Sequence, residues 1–307
     1  MGSGPLGLPT LRALAAHPDF EIVLVVTRPD RPAGRGLKLH PTPVKELAQE
    51  LELPLFQPEK VNREVERLRE LQPDVTVVVA YGQILSKDVI EVPKLGTVNL
   101  HASLLPKYRG AAPVPWALMK GETVTGVTTF LIDEGLDTGP ILRQREVPIA
   151  PEDTAGTLER KLAEVGASLM VETLEGLREG TLQPKPQDDS RATYAPKITP
   201  EMARIDWTRS APEIHNLVRA MEPRPGAFTF FRDRRLKVHR TRVVTAPSRA
   251  GDGGKPGEVV GVGEEGLWVA TGDGVLELLE VHPEGKRRMS GRDFANGYRV
   301  RGGETLG

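Results

Sequence analysis

Three side chains of complementary chemistry stand at the edges of apolar segments near the middle of the chain. Asn99 and His101 are two residues apart at the end of a buried strand pattern, and Asp137 lies in a turn between two glycines. Residues spaced by two on a strand point to the same face. An amide, an imidazole and a carboxylate can stabilise an oxyanion, move a proton and orient the proton carrier. The spacing predicts an acyl-transfer site with Asn99, His101 and Asp137 as its catalytic residues.

Each of these residues has a more ordinary interpretation when it is taken alone. A single histidine after a strand is usually structural, and an aspartate beside glycines is usually a turn residue. The complete string, N-x-H-x-S-L-L-P-x-x-R-G-x-x-P followed by D-x-G-x-D-T-G, is long and ordered. It resembles the corresponding string of the folate-dependent formyltransferases. The resemblance implies that Ser103, Leu104, Leu105 and Pro106 contact a folate, and that Arg109-Gly110 positions their loop.

The composition of the chain limits the classes of protein to which it can belong. The chain has 307 residues, of which 38% are hydrophobic and 27% charged, which fits a soluble protein of two domains. It has no cysteine, which excludes disulfides and thiolate chemistry, and no metal is expected. No segment has the length of a membrane span, and the N-terminus lacks a secretory-signal pattern. We therefore expect a cytoplasmic protein with no membrane partner.

The two halves of the chain carry opposite net charge. Residues 204–307 hold 18 Lys and Arg against 14 Asp and Glu, whereas residues 1–203 hold 23 against 28. The net charges are therefore +4 and −5. A basic C-terminal part hints weakly at an anionic partner that binds there.

Strand and helix patterns alternate through the first part of the chain, which predicts a doubly wound, mostly parallel sheet. The predicted helices are residues 9–17, 44–52, 61–72, 111–120 and 154–178, and the predicted strands are residues 21–26, 75–80, 97–100, 124–132 and 141–149. The longest of these helices is predicted to have an apolar stripe of Leu158, Leu162, Val165 and Leu169. Ligands of such sheets bind beyond the carboxyl ends of the strands. Tyr81 and Gly82 end one of these strands, so we assign them to the cofactor-binding set.

The start of this pattern is unusual, because the first helix has no strand before it. In the family that the chain resembles, a first strand leads into a short turn before this helix. Residues 2–5, Gly-Ser-Gly-Pro, are similar to that turn, but only Met1 precedes them. We expect most of this strand, which would lie centrally in the sheet, to be missing.

A long loop at residues 27–43 carries the cations Arg28, Arg31, Arg35 and Lys38. Its four prolines are expected to prevent regular structure, and its glycines permit a close approach of the backbone. It could be a solvated loop, but loops of this length are often functional and clustered cations suit phosphate contact. The R-P-A-G-R-G stretch within it resembles an insertion in the branch of the family that acts on methionyl-tRNA. The resemblance implies contact with the acceptor end of the tRNA.

The pattern changes after the catalytic part. Residues 184–203 are polar and rich in proline, which predicts a linker between a catalytic domain at 1–183 and a second domain at 204–307. Short strands with glycine-rich turns predict that the second domain is a small OB-like β-barrel. Its exposed cations could bind tRNA or could equally form an ordinary solvated face. The candidates are Lys237, Arg242, Lys286, Arg287 and Arg288.

The resemblance as a whole implies a fold of the formyltransferase type, Rossmann-like, followed by the OB-like domain. The implied reaction transfers a formyl group from N10-formyltetrahydrofolate to the α-amine of the initiator methionyl-tRNA, for translation initiation. A monomer is expected. Two alternatives remain open, a formyltransferase for an amino sugar or small amine and a non-catalytic RNA-binding protein on this fold. The basic loop disfavours the first, and the presence of all three catalytic residues disfavours the second.

Overall fold

A computed structural model describes residues 1–33, 38–244 and 254–307. The chain forms two compact units. Each unit is built from three segments, which are Met1–Pro113, Val124–Pro148 and Glu159–Ala195 for the first, and Val114–Thr123, Ile149–Leu158 and Pro196–Gly307 for the second.

The first unit combines short strands with helices. The helices up to residue 178 are α1 (Leu8–Ala16), α2 (Pro43–Glu50), α3 (Val65–Glu70), α4 (Lys87–Ile90), α5 (Pro113–Met119) and α6 (Ala155–Arg178). Most of α5 and the first turn of α6 belong to the second unit. The strands are β1 (Val25–Val26), β2 (Arg31–Ala33), β3 (Lys38–His40), β4 (Leu55–Phe56), β5 (Thr76–Val78), β6 (Thr97–His101), β7 (Val124–Leu131) and β8 (Ile141–Pro148).

The four-stranded sheet of this unit contains both parallel and antiparallel pairs. Its order is β5-β6-β7-β8, and only the β5–β6 pair is parallel. A second pair, β1 with β4, is also parallel. The chain between β7 and β8 is a short turn at residues 132–140, and a connection of that length can only join antiparallel strands.

The first three residues lie between β1 and β5. The backbone N–H of Gly2 donates to Val26 O over 2.9 Å, and that of Val79 donates to Met1 O over 2.9 Å. These residues therefore occupy the central position predicted for the first strand. Beside them is a cavity of about 680 Å³ whose wall includes Leu14 and Leu174. The absence of an earlier part of the strand stays a prediction.

Helix α6 fixes the position of β6. Its residues Leu162 and Leu169 are fully buried, in agreement with the predicted apolar stripe. A Cβ atom at Gly166 would lie only 2.6 Å from Leu100 Cδ2, so the lack of a side chain there lets the helix approach the strand closely. This packing holds the strand that carries Asn99 and His101.

The proline-rich loop contains regular structure, contrary to the prediction. Strands β2 and β3 pair antiparallel, with Pro32 opposite Leu39. A two-stranded ribbon leaves one edge of each strand free, and a proline is tolerated where its nitrogen faces that edge. Arg35 and the side chain of Lys38 lie outside the described residues, so their predicted roles stay predictions.

The second unit is mainly antiparallel β-structure. Its elements are α7 (Ala211–Met221), β9 (Ala227–Phe231), β10 (Arg234–Val244), β11 (Val259–Val262), β12 (Leu267–Ala270), β13 (Val275–Pro283), β14 (Met289–Ser290) and α8 (Gly291–Tyr298). The sheet order is β11-β12-β13-β10-β9, with β14 paired to β13. The Ser210 hydroxyl accepts from Glu213 N and caps α7, and the Ser290 hydroxyl caps α8 in the same way through Asp293 N.

The described strands of this unit do not form a closed barrel, so the predicted OB-like closure is not seen. The C-terminal residues instead run beside both edges of the sheet. Thr305 forms an antiparallel bridge with Glu258 beside β11, and Leu306 forms one with Phe231 of β9.

The first part of the predicted linker is ordered against the first unit. Lys185 forms an antiparallel bridge with Ile141 of β8, and Tyr194 forms a parallel bridge with Arg109. Backbone hydrogen bonds in both places satisfy groups that a free linker would leave to water.

Candidate active site

Strand β6 presents Asn99 and His101 as predicted. Asn99 lies between Val78 of β5 and Phe130 of β7, and His101 lies opposite Thr128 of β7. His101 is buried, whereas Asn99 is only half-buried. No hydrogen bond within the described residues engages the Asn99 side-chain amide, so it is available to a bound molecule.

The imidazole of His101 has one firm partner. Its Nε2 lies 2.8 Å from the carbonyl oxygen of Tyr108. A carbonyl can only accept, so this contact assigns the proton of the neutral ring to Nε2. The Nδ1 atom lies 3.7 Å from Asp137 Oδ2, which is too long for a hydrogen bond. The tautomer is therefore set by Tyr108, and Asp137 acts on the ring by charge.

Asp137 is held by the backbone around it. Its Oδ2 accepts a hydrogen bond of 2.7 Å from the N–H of Gly110, and its own carbonyl accepts one of 2.8 Å from Gln187 Nε2. Its φ of 54° lies in the left-handed region, which aspartate tolerates better than most residues. The turn therefore fixes the carboxylate beside His101, with a side chain only 16% exposed.

The segment from Ser103 to Pro106 is tied to the sheet. Thr128 Oγ1 donates to the carbonyl of Ser103 over 2.6 Å and accepts from the N–H of Leu105 over 3.1 Å. The Ser103 hydroxyl donates to Lys107 O over 2.6 Å, and Gln144 donates to Leu105 O over 2.8 Å. Ser103 and Leu105 are buried, while Leu104 and Pro106 are half-buried. These contacts hold the loop that carries the Tyr108 carbonyl, and the predicted folate contact stays a prediction.

Arg109 supports the same loop from inside. It is 2% exposed, and its Nε and Nη2 donate to Gln187 Oε1 over 3.1 and 2.8 Å. Its Nη2 also donates to Asp189 Oδ1 over 2.7 Å. Gln187 in turn binds the carbonyl of Asp137, so Arg109 links the histidine loop to the aspartate turn. This agrees with the expected positioning role.

Tyr81 and Gly82 follow strand β5, and Arg28 lies against them. A Cβ atom at Gly82 would be 3.3 Å from Arg28 Cζ, and Gly82 has a φ of +79°. Both observations favour glycine here. The Tyr81 hydroxyl is buried without a hydrogen-bond partner in the described part of the chain, and burial raises its pKa to about 12. The cofactor contact of these residues stays a prediction.

The predicted tRNA-binding cations differ in their surroundings. Arg31, Lys286 and Arg287 are exposed, and no carboxylate of the described residues pairs with them. Lys237 Nζ donates to Pro225 O over 3.1 Å. Arg242 and Arg288 are engaged by carboxylates of their own unit.

These two arginines form ion pairs that the sequence did not reveal. Arg242 lies 2.7 Å from Glu277, which is buried, and 3.3 Å from Glu265. Arg288 lies 3.0 Å from Glu222 and 3.4 Å from Glu280. Part of the positive charge predicted for tRNA is therefore already compensated.

His239 stands between Lys237 and Arg242 in the sequence of β10, but it does not share their outward orientation. The residue is buried, and its Nδ1 lies 2.6 Å from Glu222 Oε2. A shift in the pairing of β10 with β13 between Val238 and Arg240 interrupts the alternation of faces.

Metal-binding clusters and membrane-spanning helices are both absent from the described residues. Within residues 1–33, 38–244 and 254–307, no group of three or more His, Asp or Glu side chains is arranged to hold a metal ion. Over the same residues, no helix is both long and apolar enough to cross a membrane.

Sequence reasoning missed two kinds of contact in the site. These are hydrogen bonds made by backbone atoms and contacts between residues that are far apart along the chain. The Tyr108 carbonyl and the Gly110 N–H are backbone groups, so the residue types at these positions do not reveal their contacts. Gln187 is far from the motif and lies in a stretch that reads as a linker. A hint was available in Thr128, a polar residue at the centre of an apolar strand.

Known proteins are similar to this chain over its whole length. The family model described as formyl transferase matches residues 9–174, and that described as formyl transferase, C-terminal domain, matches residues 197–299. Methionyl-tRNA formyltransferase from Geobacter sulfurreducens is 46% identical over 100% of this chain and 95% of its own. The protein of the same name from Solibacter usitatus is 48% identical over 100% of this chain and 97% of its own.

Solved structures share the fold at lower identity. The N-formyltransferase from Helicobacter canadensis, in complex with folinic acid and dTDP-3-aminofucose, has a TM-score of 0.66 and 21% identity. It covers 91% of this chain and 97% of its own. The two family models together match most of the chain, and the full-length relatives agree with them. The chain therefore belongs to the formyl transferase family.

Proposed function

We propose that this chain transfers a formyl group from N10-formyltetrahydrofolate to the α-amine of initiator methionyl-tRNA, for translation initiation. The observation that carries the proposal is the geometry at the end of β6. There, a free amide at Asn99 neighbours an imidazole whose Nδ1 lies 3.7 Å from a carboxylate. The full-length relatives of 46% and 48% identity that are named for this reaction support the choice of acceptor.

The chemistry follows from the groups present. The amine attacks the formyl carbon, a C–N bond forms, and negative charge develops on the formyl oxygen. The Asn99 amide can donate to that oxygen, and one such donor typically lowers the barrier by about 3 kcal/mol. As the bond to N10 breaks, N10 gains a proton and the attacking amine loses one. His101 serves this transfer through Nδ1, because its Nε2 is engaged by Tyr108.

Asp137 completes the arrangement. Its carboxylate stabilises the positive charge that His101 carries when both ring nitrogens are protonated. The Gly110 N–H donates to this carboxylate and the Gln187 amide donates to the backbone carbonyl of Asp137, so both hold the aspartate in place. This charge is fixed before the substrate arrives, which is the condition for efficient electrostatic stabilisation.

We assign the folate to the strand ends beside these residues. The segment 103–106 and the pair Tyr81-Gly82 follow β6 and β5, which are parallel neighbours, so their carboxyl ends lie at one edge of the sheet. No metal has a role in this mechanism, because the leaving and attacking nitrogens need only proton transfer.

The tRNA would use cationic groups from both units. The loop at 27–43 contributes Arg28, Arg31, Arg35 and Lys38. In the second unit, Lys286 and Arg287 are the stronger candidates because they are exposed and unpaired in the described residues. Lys237, Arg242 and Arg288 have partners within the protein, and binding through them would require those contacts to be exchanged for contacts with phosphate.

We retain the remaining organisation as proposals. These are a catalytic domain at 1–183, a linker at 184–203 and an OB-like second domain at 204–307. The bridges of Thr305 and Leu306 to opposite edges of the second sheet support a barrel-like closure by the C-terminal segment. We also propose that the enzyme is monomeric and cytoplasmic, by analogy with the relatives that support the proposed function.

The test is a panel of acceptors. The protein is mixed with N10-formyltetrahydrofolate and with methionyl-tRNA, free methionine or a dTDP-linked amino sugar, and the formylated product is measured. We expect product with methionyl-tRNA alone. The amino sugar is included because the Helicobacter canadensis relative was solved with such a ligand. Formylation of the sugar in preference to the tRNA would contradict the proposal.

A further inference from the structure

The outward face of the second unit carries an unusual combination of aromatic rings and guanidinium groups. We call it the Phe–Arg face, and its members are Arg204, Phe228, Phe230, Arg235 and Lys237. On β9 the residues alternate, so that Phe228 and Phe230 are half-exposed while Thr229 between them is buried. Arg235 and Lys237 alternate in the same way on β10 and lie opposite Phe230 and Phe228. The backbone at Arg204 forms a parallel bridge with Phe228.

The side chains of this face are in contact with each other. Arg235 Cζ lies 3.7 Å from the centre of the Phe228 ring, and Arg204 Cζ lies 5.6 Å from that of Phe230. The two rings meet edge to face with their centres 5.9 Å apart. Planar groups are therefore already ordered side by side, which lowers the entropy cost of stacking another planar group on them.

The positive charge of this face is uncompensated. No carboxylate of the described residues lies within ion-pair distance of Arg204, Arg235 or Lys237, whereas Arg242 and Arg288 of the same unit both have carboxylate partners. Arg235 Nε is buried and has no hydrogen-bond partner in the described part of the chain. The face thus offers guanidinium donors and positive charge to an anion.

We propose that the Phe–Arg face binds an unpaired nucleotide of the RNA substrate. A base would stack on the guanidinium and phenyl planes, and its phosphate would pair with Arg204 or Lys237. The nucleotide must be unpaired, because a base inside a helix does not expose its face. The inference rests on the proposed function only for the identity of the RNA as methionyl-tRNA.

The experiment separates stacking from charge with four full-length variants. Phe228→Leu removes a ring, Arg235→Lys keeps the charge but removes the plane, and Arg204→Gln removes a charge. Arg209→Gln is the control, because it removes an exposed arginine of the same unit that is paired with Glu213. The dissociation constant for methionyl-tRNA is measured over a salt series, together with folate affinity, kcat and melting temperature.

We expect Phe228→Leu and Arg235→Lys each to raise the dissociation constant about tenfold, within the range for one stacked base. Their salt dependence should equal that of the wild type, because no charge is lost. Folate affinity and kcat at saturating tRNA should be unchanged, and Arg209→Gln should bind tRNA normally. Unchanged tRNA affinity in both stacking variants would overturn the proposal, as would a loss fully explained by a lower melting temperature.

A second measurement distinguishes this inference from the proposed function. Binding of a short single-stranded RNA is compared with binding of a duplex of the same length, in the wild type and in Arg235→Lys. If the wild type prefers the single strand and Arg235→Lys weakens that preference, nucleotide binding by the Phe–Arg face is supported. This holds even if the acceptor panel excludes tRNA as the substrate. Equal binding of both RNAs, or binding of neither, overturns it. A wild-type protein that dimerises through this face, seen as a monomer in Phe228→Leu, would also overturn it.

Discussion

The polar groups at the end of β6 and those on the Phe–Arg face differ in burial and in the neighbours that hold them. At the end of β6, His101 and Asp137 are nearly buried and are held by backbone atoms of Tyr108 and Gly110. On the Phe–Arg face, the cations are exposed or half-exposed and have aromatic rings as neighbours. Buried groups fixed by hydrogen bonds suit a reaction that needs precise geometry, whereas exposed cations suit a large polyanion. Substitutions in the two regions should therefore differ in kind.

The largest effect is expected from His101→Ala. Loss of the proton carrier should lower kcat by about a thousandfold, within the usual range for general acid–base groups. Steady-state formylation of methionyl-tRNA measures this, and tRNA affinity should not change. His17→Ala is a suitable control, because His17 is another histidine of the first unit and is paired with Glu175. Near-normal turnover of the His101 variant would remove this residue from the mechanism.

Asp137→Asn should lower kcat by about a hundredfold. Asparagine keeps the shape of the side chain and tolerates the left-handed backbone at this position, so the loss of charge is isolated from backbone strain. Asp137→Ala adds that strain and should also lower the melting temperature. Asn99→Ala is expected to lower kcat to a similar extent as Asp137→Asn, because it removes the oxyanion donor. If Asp137→Asn retains full kcat, the carboxylate has no electrostatic role.

Arg109→Met tests whether the buried arginine supports the site. The variant loses two hydrogen bonds to Gln187 and one to Asp189, which should reduce the free energy of unfolding by about 2–3 kcal/mol. A displaced loop should also lower kcat about tenfold, because small shifts of catalytic groups are costly. Asp189→Asn removes only the ion pair with Arg109 and keeps both hydrogen bonds to Gln187, so it should lower the free energy of unfolding by less than Arg109→Met does. Equal denaturant midpoints for wild type and Arg109→Met would contradict the linking role.

The smallest effects should separate two arginines of the second unit. Arg287→Gln should weaken methionyl-tRNA binding about threefold and reduce the slope of the salt dependence by about one, with unchanged stability. Arg242→Gln leaves the buried Glu277 without its partner, and should cost about 1 kcal/mol of unfolding free energy because Arg242 itself is half-exposed. Filter binding and urea denaturation of both variants provide the comparison. The reverse pattern would show that the ion pairs do not decide which cations bind tRNA.

The sequence was most informative where the fold imposes a short repeat. Asn99 and His101 were placed correctly, because the period of a strand fixes their common face. The apolar stripe of α6 was also correct, since Leu162 and Leu169 repeat with the period of a helix.

The sequence was less informative wherever distant segments meet. The partners of Arg242 and Arg109 are Glu277 and Gln187, and no local pattern brings either pair together. The antiparallel direction of β7 is likewise decided by pairing with β6 across the sheet. Helix α8 was missed because it follows a two-residue strand and contains two glycines, which weaken its helical pattern. The burial of His239 could not be predicted from the alternation of residues on β10, because a shift of register interrupts it.

The contacts of residues 185–195 with the first unit should protect this stretch from proteolysis. Arg191 is exposed and is followed by Ala192, so the bond after it is one that trypsin can cut. A protease must extend several residues around the bond that it cuts, and here the backbone is bonded to Ile141 and Arg109 on either side. Cleavage after Arg191 should therefore require the same local unfolding as exchange of the Ala195 amide hydrogen, which donates to Arg109 O over 2.7 Å. A stretch with the composition of a linker would then be protected like the strands beside it.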